Sequence, residues 1–294
     1  MQPLRPTGYA PTHLRITSIG PEATLRETET ADPGQNLRQG DILKIVDPDK
    51  DHNLGCIINA DCDLENGKVD GAIAYLPIFS FHQFLDKFWS VTFLHNEKQA
   101  VLRQIRDILE FSDTDLDELI MWLREEGAGP ISERLANVGE LGKKEAEKLF
   151  AALQRLSRLL KQPLPNFQSI KEICKNEGRT EVQIRKIVKG AKQSLAGSHV
   201  FVNEIQGESQ IGFAIRMRRI HSLPEAHSFK SLADSKFRNE LTAPYGYRIA
   251  SFTSLIRFKV IHHFVQQYSR IGLPDDLHAL EELAVEEAVA ELAK

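Results

Sequence analysis

The pattern of apolar and polar positions changes character twice along the chain. HLRITSI at 13–19 and DILKIVDPD at 41–49 alternate with a period of two, the second ending in the turn pair Asp47-Pro48, and both predict short strands. From about Phe81 to Gln193 the spacing turns helical. Leu116, Leu119, Ile120 and Leu123 recur at i, i+3, i+4 and i+7, with Ser112 or Thr114 as N-cap and Gly127 as a stop. KKEAEKLFAALQRLSRLLKQPLP keeps the same rule until Pro163. Alternation returns in SHVFVNEIQGESQIGFAIRMRRI, whose two runs joined by Gln206-Gly207-Glu208-Ser209 predict a hairpin. RIASFTSLIRFKVIHHFVQQYSRIGLP then reads as one long apolar helix closed by Gly272 and Pro274.

This order predicts an α+β fold: a small β-barrel or curled antiparallel sheet, SH3-like in size, built from N-terminal and late strands. A helical insertion separates them and a long C-terminal helix follows. The expected boundaries are 1–80 for the N-terminal β segment, 81–196 for the insertion and 197–275 for the hairpin and long helix. Residues 276–294 form an acidic amphipathic tail with Leu280, Leu283 and Leu292 near one stripe, expected to mediate association.

Residues 54–77, LGCIINADCDLENGKVDGAIAYLP, carry the densest local signal. Asn66-Gly67 predicts a tight type I′ hairpin. The implied register sets Ile58 opposite Tyr75 and Asp63 opposite Asp70. Cys56, Cys62, Leu64, Val69 and Ile73 then face the core, and Asn59, Asp61, Asp63, Glu65, Lys68 and Asp70 face out. Like charges opposed across strands are unfavourable. Either solvent and Lys68 screen Asp61, Asp63 and Asp70, or a divalent cation takes them as hard oxygen ligands. An EF-hand is excluded, because Gly67 falls at loop position 7 and Ala72 at 12 when the count starts at Asp61. Asp61-Cys62-Asp63 also resembles the Asp-x-Asp of haloacid-dehalogenase phosphatases and glycosyltransferases, but neither fold's surrounding elements are present.

Basic residues gather in SIKEICKNEGRTEVQIRKIVKGAK, residues 169–192, which reads as two short helices around Gly178 with Ile173, Cys174, Ile184 and Ile187 turned inward. A second helix of this kind suits a major groove, with Arg179, Arg185, Lys186, Lys189 and Lys192 on phosphates. Glu177 and Arg179 stand where a helix-turn-helix usually has apolar residues, and a plain solvated helical pair is the competing reading. In QIGFAIRMRRI, Arg216 and Arg218 share the strand face opposite Phe213, Ile215 and Met217, where they could hold phosphate or an acidic neighbour. His262 and His263 are adjacent on a helix and poorly placed to chelate one ion.

Composition adds limits rather than a function. The chain has 294 residues, a net charge of −4 and 41% hydrophobic content, so any nucleic-acid contact must be a local basic face. Cys56, Cys62 and Cys174 are too scattered for a disulfide framework or a CxxC zinc site and suggest a reducing compartment. There is no apolar run long enough to span a membrane and no secretory h-region near the start, so a cytoplasmic protein with no membrane partner is expected.

GCIINADCDLENGK and the later RIASFTSLIRFKVIHHFVQQYSRIGLP together resemble segments of poorly characterised bacterial proteins from mobile or defence-associated gene neighbourhoods. The likeness lies in Cys62-Asp63-Leu64 at a strand end and in Arg270-Ile271-Gly272-Leu273-Pro274. It implies a prokaryotic accessory protein, associated with antiviral defence, and brings no reaction or cofactor. With no Gly-rich phosphate loop or nucleophile elbow, the expectation is a non-enzymatic binding or regulatory module that contacts nucleic acid or a protein partner, with no catalytic residue and no cofactor. The alternative is a hydrolase of phosphodiesters using a divalent cation on Asp61, Asp63 and Asp70.

Overall fold

The computed structural model describes residues 26–110, 113–161, 165–195, 197–237, 244–268 and Val289. The strand expected at 13–19, the cap at Ser112, the stops at Pro163, Gly272 and Pro274 and the amphipathic tail's stripe lie outside these residues.

Strands β1 (Thr28–Glu29), β2 (Asp41–Val46) and β3 (Leu54–Ile57) precede the short helix α1 (Asp61–Glu65) and strand β4 (Ala72–Ser80). The helical series follows: α2 (Phe81–Phe84), a π-helical turn at Leu85–Trp89, α3 (Ser90–Leu109), α4 (Asp113–Glu125), α5 (Ala128–Val138), α6 (Lys143–Leu160), α7 (Phe167–Asn176) and α8 (Glu181–Gln193). Strands β5 (His199–Val202), β6 (Phe213–Arg216), β7 (His221–Pro224) and β8 (Ser228–Phe229) come next, then α9 (Leu232–Phe237), β9 (Tyr245–Phe252) and α10 (Ser254–Tyr268).

The strands form one sheet in the order β1-β9-β2-β3-β4-β6-β5, with β7 on β4 and β8 on β9. All these pairings are antiparallel except β8 with β9. The sheet is open, so the small closed barrel considered from the sequence is corrected. Strand β4 passes directly into α2 through a capping box: Ser80 Oγ accepts from the Gln83 amide at 3.2 Å, and the Gln83 side chain accepts from the Ser80 amide at 2.9 Å. After the helices, β6 returns beside β4, with Ile78 opposite Ile215 and Ser80 opposite Phe213.

Both faces of the central sheet are covered. Ile42, Leu54, Cys56, Leu76 and Ile78 pack on one side with Phe213 and Ile215 and under Ile256 and Val260 of α10. Leu43, Ile45, Ile57, Ile73 and Tyr75 close the other side with Val69 and Leu223. A separate core of Val101, Ile105, Leu119, Ile131, Leu149 and Leu156 joins α3 to α6.

Four expectations change: the Asn66-Gly67 hairpin, the β3–β4 register, the burial of Cys62 and the start of the C-terminal helix. The stretch 61–65 is helical, with Asp61 and Asp63 in its first turn, where carboxylates suit the helix dipole. Asn66-Gly67 ends that helix instead of turning a hairpin: Gly67 takes φ +65°, and the Lys68 amide donates back to the Asp63 carbonyl at 2.8 Å, the six-to-one bond of a Schellman stop. The tight turn with two positive φ values lies at Asp70 (+48°) and Gly71 (+72°), closed by the Ala72 amide on the Val69 carbonyl at 3.0 Å. Strands β3 and β4 do pair, but with Ile57 opposite Tyr75, one residue from the register implied by Asn66-Gly67. Cys62 is exposed rather than buried, while Cys56 is buried as expected. Finally, RIASF belongs to β9, which alternates against β2, and the helix begins only at Ser254. Among the described residues no helix is long and apolar enough to cross a membrane.

Candidate nucleic-acid interface

The acidic triple does not assemble. Asp61 accepts from the Gln39 amide at 2.7 Å and faces Arg257 at 3.5 Å. With the hairpin gone, Asp63 no longer sits across a ladder from Asp70, which lies in the following turn. Among the described residues no three His, Cys, Asp or Glu side chains are grouped to hold a metal ion, which corrects the reading of Asp61, Asp63 and Asp70 as ligands.

The basic pair of helices is present. Helix α7 is capped by Asn166, whose side chain accepts from the Ser169 amide at 2.8 Å, and it buries Ile170, Ile173 and Cys174. The turn 177–180 bends at Gly178 (φ +60°), and Thr180 with Gln183 forms a capping box that starts α8. At about 100° per residue, Arg185, Lys186, Lys189 and Lys192 occupy one arc of α8 with Val182 among them, and Ile184, Ile187, Val188 and Ala191 occupy the other. The four basic residues are exposed, and Val182 is 78% exposed. Only Ala191 is buried within α8; Ile184, expected in the core, is 39% exposed. The helix thus rests lightly on the body along its C-terminal half.

Arg179 is not part of that outward face. It bonds Glu177 at 2.7 Å and Glu97 of α3 at 2.8 Å, and Arg155 of α6 binds the same two carboxylates. Burial alone would raise the Glu177 carboxyl, but hydrogen bonds from Arg155 and Arg179 outweigh it and hold the group below its ordinary value. Arg179 therefore fastens the turn to α3 and α6, which corrects its assignment as a free phosphate contact. This also explains the charged residues at positions where a helix-turn-helix usually buries apolar ones: the turn is held by ion pairs. Arg185 pairs with Glu181 at 2.8 Å on the open surface. Lys192 lies 4.5 Å over the Phe201 ring and Arg216 4.6 Å over the Phe88 ring, so both flank one aromatic cluster. Arg218 lies past the end of β6, where its Nε donates to Gln267 of α10 at 3.0 Å, so it does not share a strand face with Arg216.

A cleft of about 720 Å³ opens between α8 and the π-helical turn with the start of α3. Trp89, Thr92, Phe93 and Asn96 line it at i, i+3, i+4 and i+7, one stripe of a helix whose other stripe builds the α3–α6 core. Trp89 and Phe93 lie 4.7 Å apart between ring centres. Across from them stand Lys186, Ile187 and Gly190 of α8, with Ser198 and His199 closing one end. His199 Nδ1 lies 2.8 Å from Ser198 Oγ, and its buried Nε2 has no partner among the described residues. Burial, then Arg216 and Arg218, lowers the His199 pKa to about 4, so the ring is neutral at neutral pH. A second cleft of about 600 Å³ runs on the other side of α8, toward α7, and shares Trp89, Arg179 and Ile187.

Sequence periodicity did not point to this cleft. The signal present was aromatic density: Phe81, Phe84, Phe88, Trp89 and Phe93 fall within one helical stretch, and the last four of them reach the cleft. The π-helical turn adds a residue there, a distortion common at functional sites. Comparison of the chain with known protein families, with curated proteins and with solved structures found no match.

Proposed function

We propose that this chain is a nucleic-acid-binding module whose contact surface is the outward face of α8, presented by the α7–turn–α8 unit, and that it acts by binding rather than by catalysis. The observation that carries the reading is the partition of α8: Arg185, Lys186, Lys189 and Lys192 lie on the exposed arc while Ile184, Ile187, Val188 and Ala191 lie on the opposite one. The only acidic residue in the helix, Glu181, sits at its first position and pairs with Arg185, leaving three lysines with no carboxylate on that arc. A net charge of −4 makes such a face a local feature, suited to phosphates at a defined place. Lys192 and Arg216 extend the positive edge toward the β5–β6 hairpin. A bacterial accessory or regulatory role, as the sequence resemblance implies, is compatible with such a module.

The test is fluorescence anisotropy of labelled single-stranded and duplex oligonucleotides across a salt series. Binding is expected at low salt and weakens steeply between ~50 and ~200 mM. Lys186→Glu with Lys189→Glu and Lys192→Glu should abolish it, with the circular dichroism melt unchanged. Absence of binding at low salt, or binding indifferent to the triple variant, overturns the reading.

A further inference from the structure

We infer that the cleft between the π-helical turn and α8 receives one unpaired nucleobase, with Lys186 on its phosphate, so that the module holds single-stranded nucleic acid in preference to duplex. The inference deepens the function proposed above and rests on it. The site has the ingredients that an extruded base requires. Phe88, Trp89 and Phe93 supply aromatic walls, and Lys186 stands on the opposite wall. Among the described residues no carboxylate lines the cleft, because Glu97 and Glu177 are turned onto Arg155 and Arg179. The lining is therefore apolar and cationic, which suits a flat ring joined to an anion better than an aliphatic chain or an acidic-rimmed peptide.

Three further features favour a base. The Arg216 guanidinium, 4.6 Å from the Phe88 ring, adds a positive charge behind the aromatic wall, favourable to a ring that is joined to phosphate. Thr92 and Asn96 are exposed on the same stripe as Trp89 and Phe93, where they can meet the polar edge of a ring laid against the outer face of that aromatic pair. The volume, about 720 Å³, lies in the range of small-molecule sites. Discrimination against duplex follows from geometry. In a continuous double helix both faces of each base are stacked on neighbours, and only an unpaired or extruded base can offer a face to Trp89. Because every base has a π face, the preference is for single strands and not for a sequence.

The protein contains two tryptophans, Trp89 and Trp122, and Trp122 lies on α4, away from the cleft. In the full chain carrying Trp122→Phe, Trp89 becomes the sole indole reporter. It would be titrated with a single strand, the same backbone made abasic, and the corresponding duplex. The intact single strand is expected to quench Trp89 and to bind about tenfold or more tighter than the abasic strand or the duplex. Trp89→Leu should erase that preference and Trp89→Phe should retain it; Phe93→Leu serves as the second probe if Trp89→Leu does not fold. Equal affinity for all three probes, with no change in Trp89 emission at saturation, overturns the cleft inference while leaving the charged-face reading standing. Failure of every probe to bind at low salt overturns both.

Discussion

Arg248 of β9 and Asp41 of β2 meet inside the sheet, Nη1 to Oδ2 at 2.9 Å, with side chains 1% and 0% exposed. Nη1 and Nη2 of Arg248 also reach the carbonyls of Asn36 at 2.9 Å, Asp32 at 2.6 Å and Gln35 at 2.9 Å, its buried Nε having no partner among the described residues, while Asp41 also accepts from Ser251 Oγ at 2.5 Å and the Arg38 amide at 2.9 Å. One ion pair thus ties a late strand to an early one and pins the 32–38 loop over both. Removing either partner leaves a buried charge without its counterion. Arg248→Met is expected to cost about 3–5 kcal/mol in urea unfolding, and Ser251→Ala about 1 kcal/mol. Equal, small losses for both would show that the pair is not what holds the loop.

Gly55 of β3 tests the observed register. A Cβ there would stand 2.3 Å from Cδ2 of Tyr75, which is fully buried. Gly55→Ala should therefore lower stability by at least about 1–3 kcal/mol, since neither the strand nor the ring has room to move. In the register implied by Asn66-Gly67 the two residues would be placed differently, so a Gly55→Ala variant as stable as the parent would refute the pairing of Ile57 with Tyr75.

The same region shows which parts of the fold were legible. Alternation located β5 and the inward set Phe213, Ile215 and Met217, because Val200 and Val202 and these three serve one core; it also located β2, although Ile42 serves one core and, past a bulge, Leu43 and Ile45 serve the other. It failed at β3 and β4, where Leu76 and Ile78 serve one core and Ile73 and Tyr75 the other, so period-two patterning carries no register information. Asn-Gly was misread because glycine's positive φ serves a helix stop as well as a hairpin, and five residues of helix are too few to show a period. In RIASF the alternation Arg248, Ala250, Phe252 was hidden by the apolar helix that follows at once. The basic arc of α8 was visible in the sequence; the fate of Arg179 was not, because its partner Glu97 lies on a different helix.

Arg179 and the α8 lysines should separate cleanly in experiment. Arg179→Met removes charge-assisted bonds to Glu97 and Glu177 and is expected to destabilise the protein by about 1.5–3 kcal/mol, an upper range given the partly exposed site. It should leave the salt slope of binding nearly unchanged. Lys189→Ala should do the reverse, flattening that slope by ~1 with stability intact. A flattened slope for Arg179→Met at unchanged stability would return Arg179 to the phosphate-binding face.

Three histidines, one buried and two half-buried, give the fold a dependence on mildly acid pH. His52 lies 3.1 Å from Asp51 and 3.2 Å from the Tyr75 hydroxyl, and its ring centre is 4.6 Å from that of His221. Burial lowers His52 despite Asp51, and burial followed by His52, Lys50 and Arg219 lowers His221 to about 4. His199 is lowered to about 4 as well. Their folded pKa values lie below the ordinary 6.5, so the unfolded chain binds protons more readily than the folded one. Stability from these groups is full above pH 6.5 and is lost as pH falls toward 4. Asp51 and Glu177, held low in the fold, add their losses only further down, below their ordinary values of 3.8 and 4.5. Urea midpoints measured from about pH 7.5 downward should fall between about 6.5 and 5, and His221→Gln should make that fall shallower; an unchanged curve would place the sensitivity elsewhere.

The order of the sheet makes a last demand on the chain. Strands β2, β3 and β4 are contiguous in sequence and in space, yet each side of that three-stranded unit depends on later residues. One face needs Phe213, Ile215, Phe252, Ile256 and Val260, and the other needs Leu223. The outer edge of β2 is taken by β9 and that of β4 by β6 and β7. A fragment of residues 1–80 would expose two apolar faces and two unpaired edges, and Asp41 would be left without Arg248. It is expected to be unfolded or to aggregate, with no cooperative melt and no dispersed amide spectrum. Mixing it with a fragment of residues 81–294 should restore both signals, because the second fragment carries β5 to β9, α10 and Arg248. A fragment of residues 1–80 that melts cooperatively alone would mean that β2, β3 and β4 bury their surfaces in some other way, and that β6, β7 and β9 merely add to a finished unit.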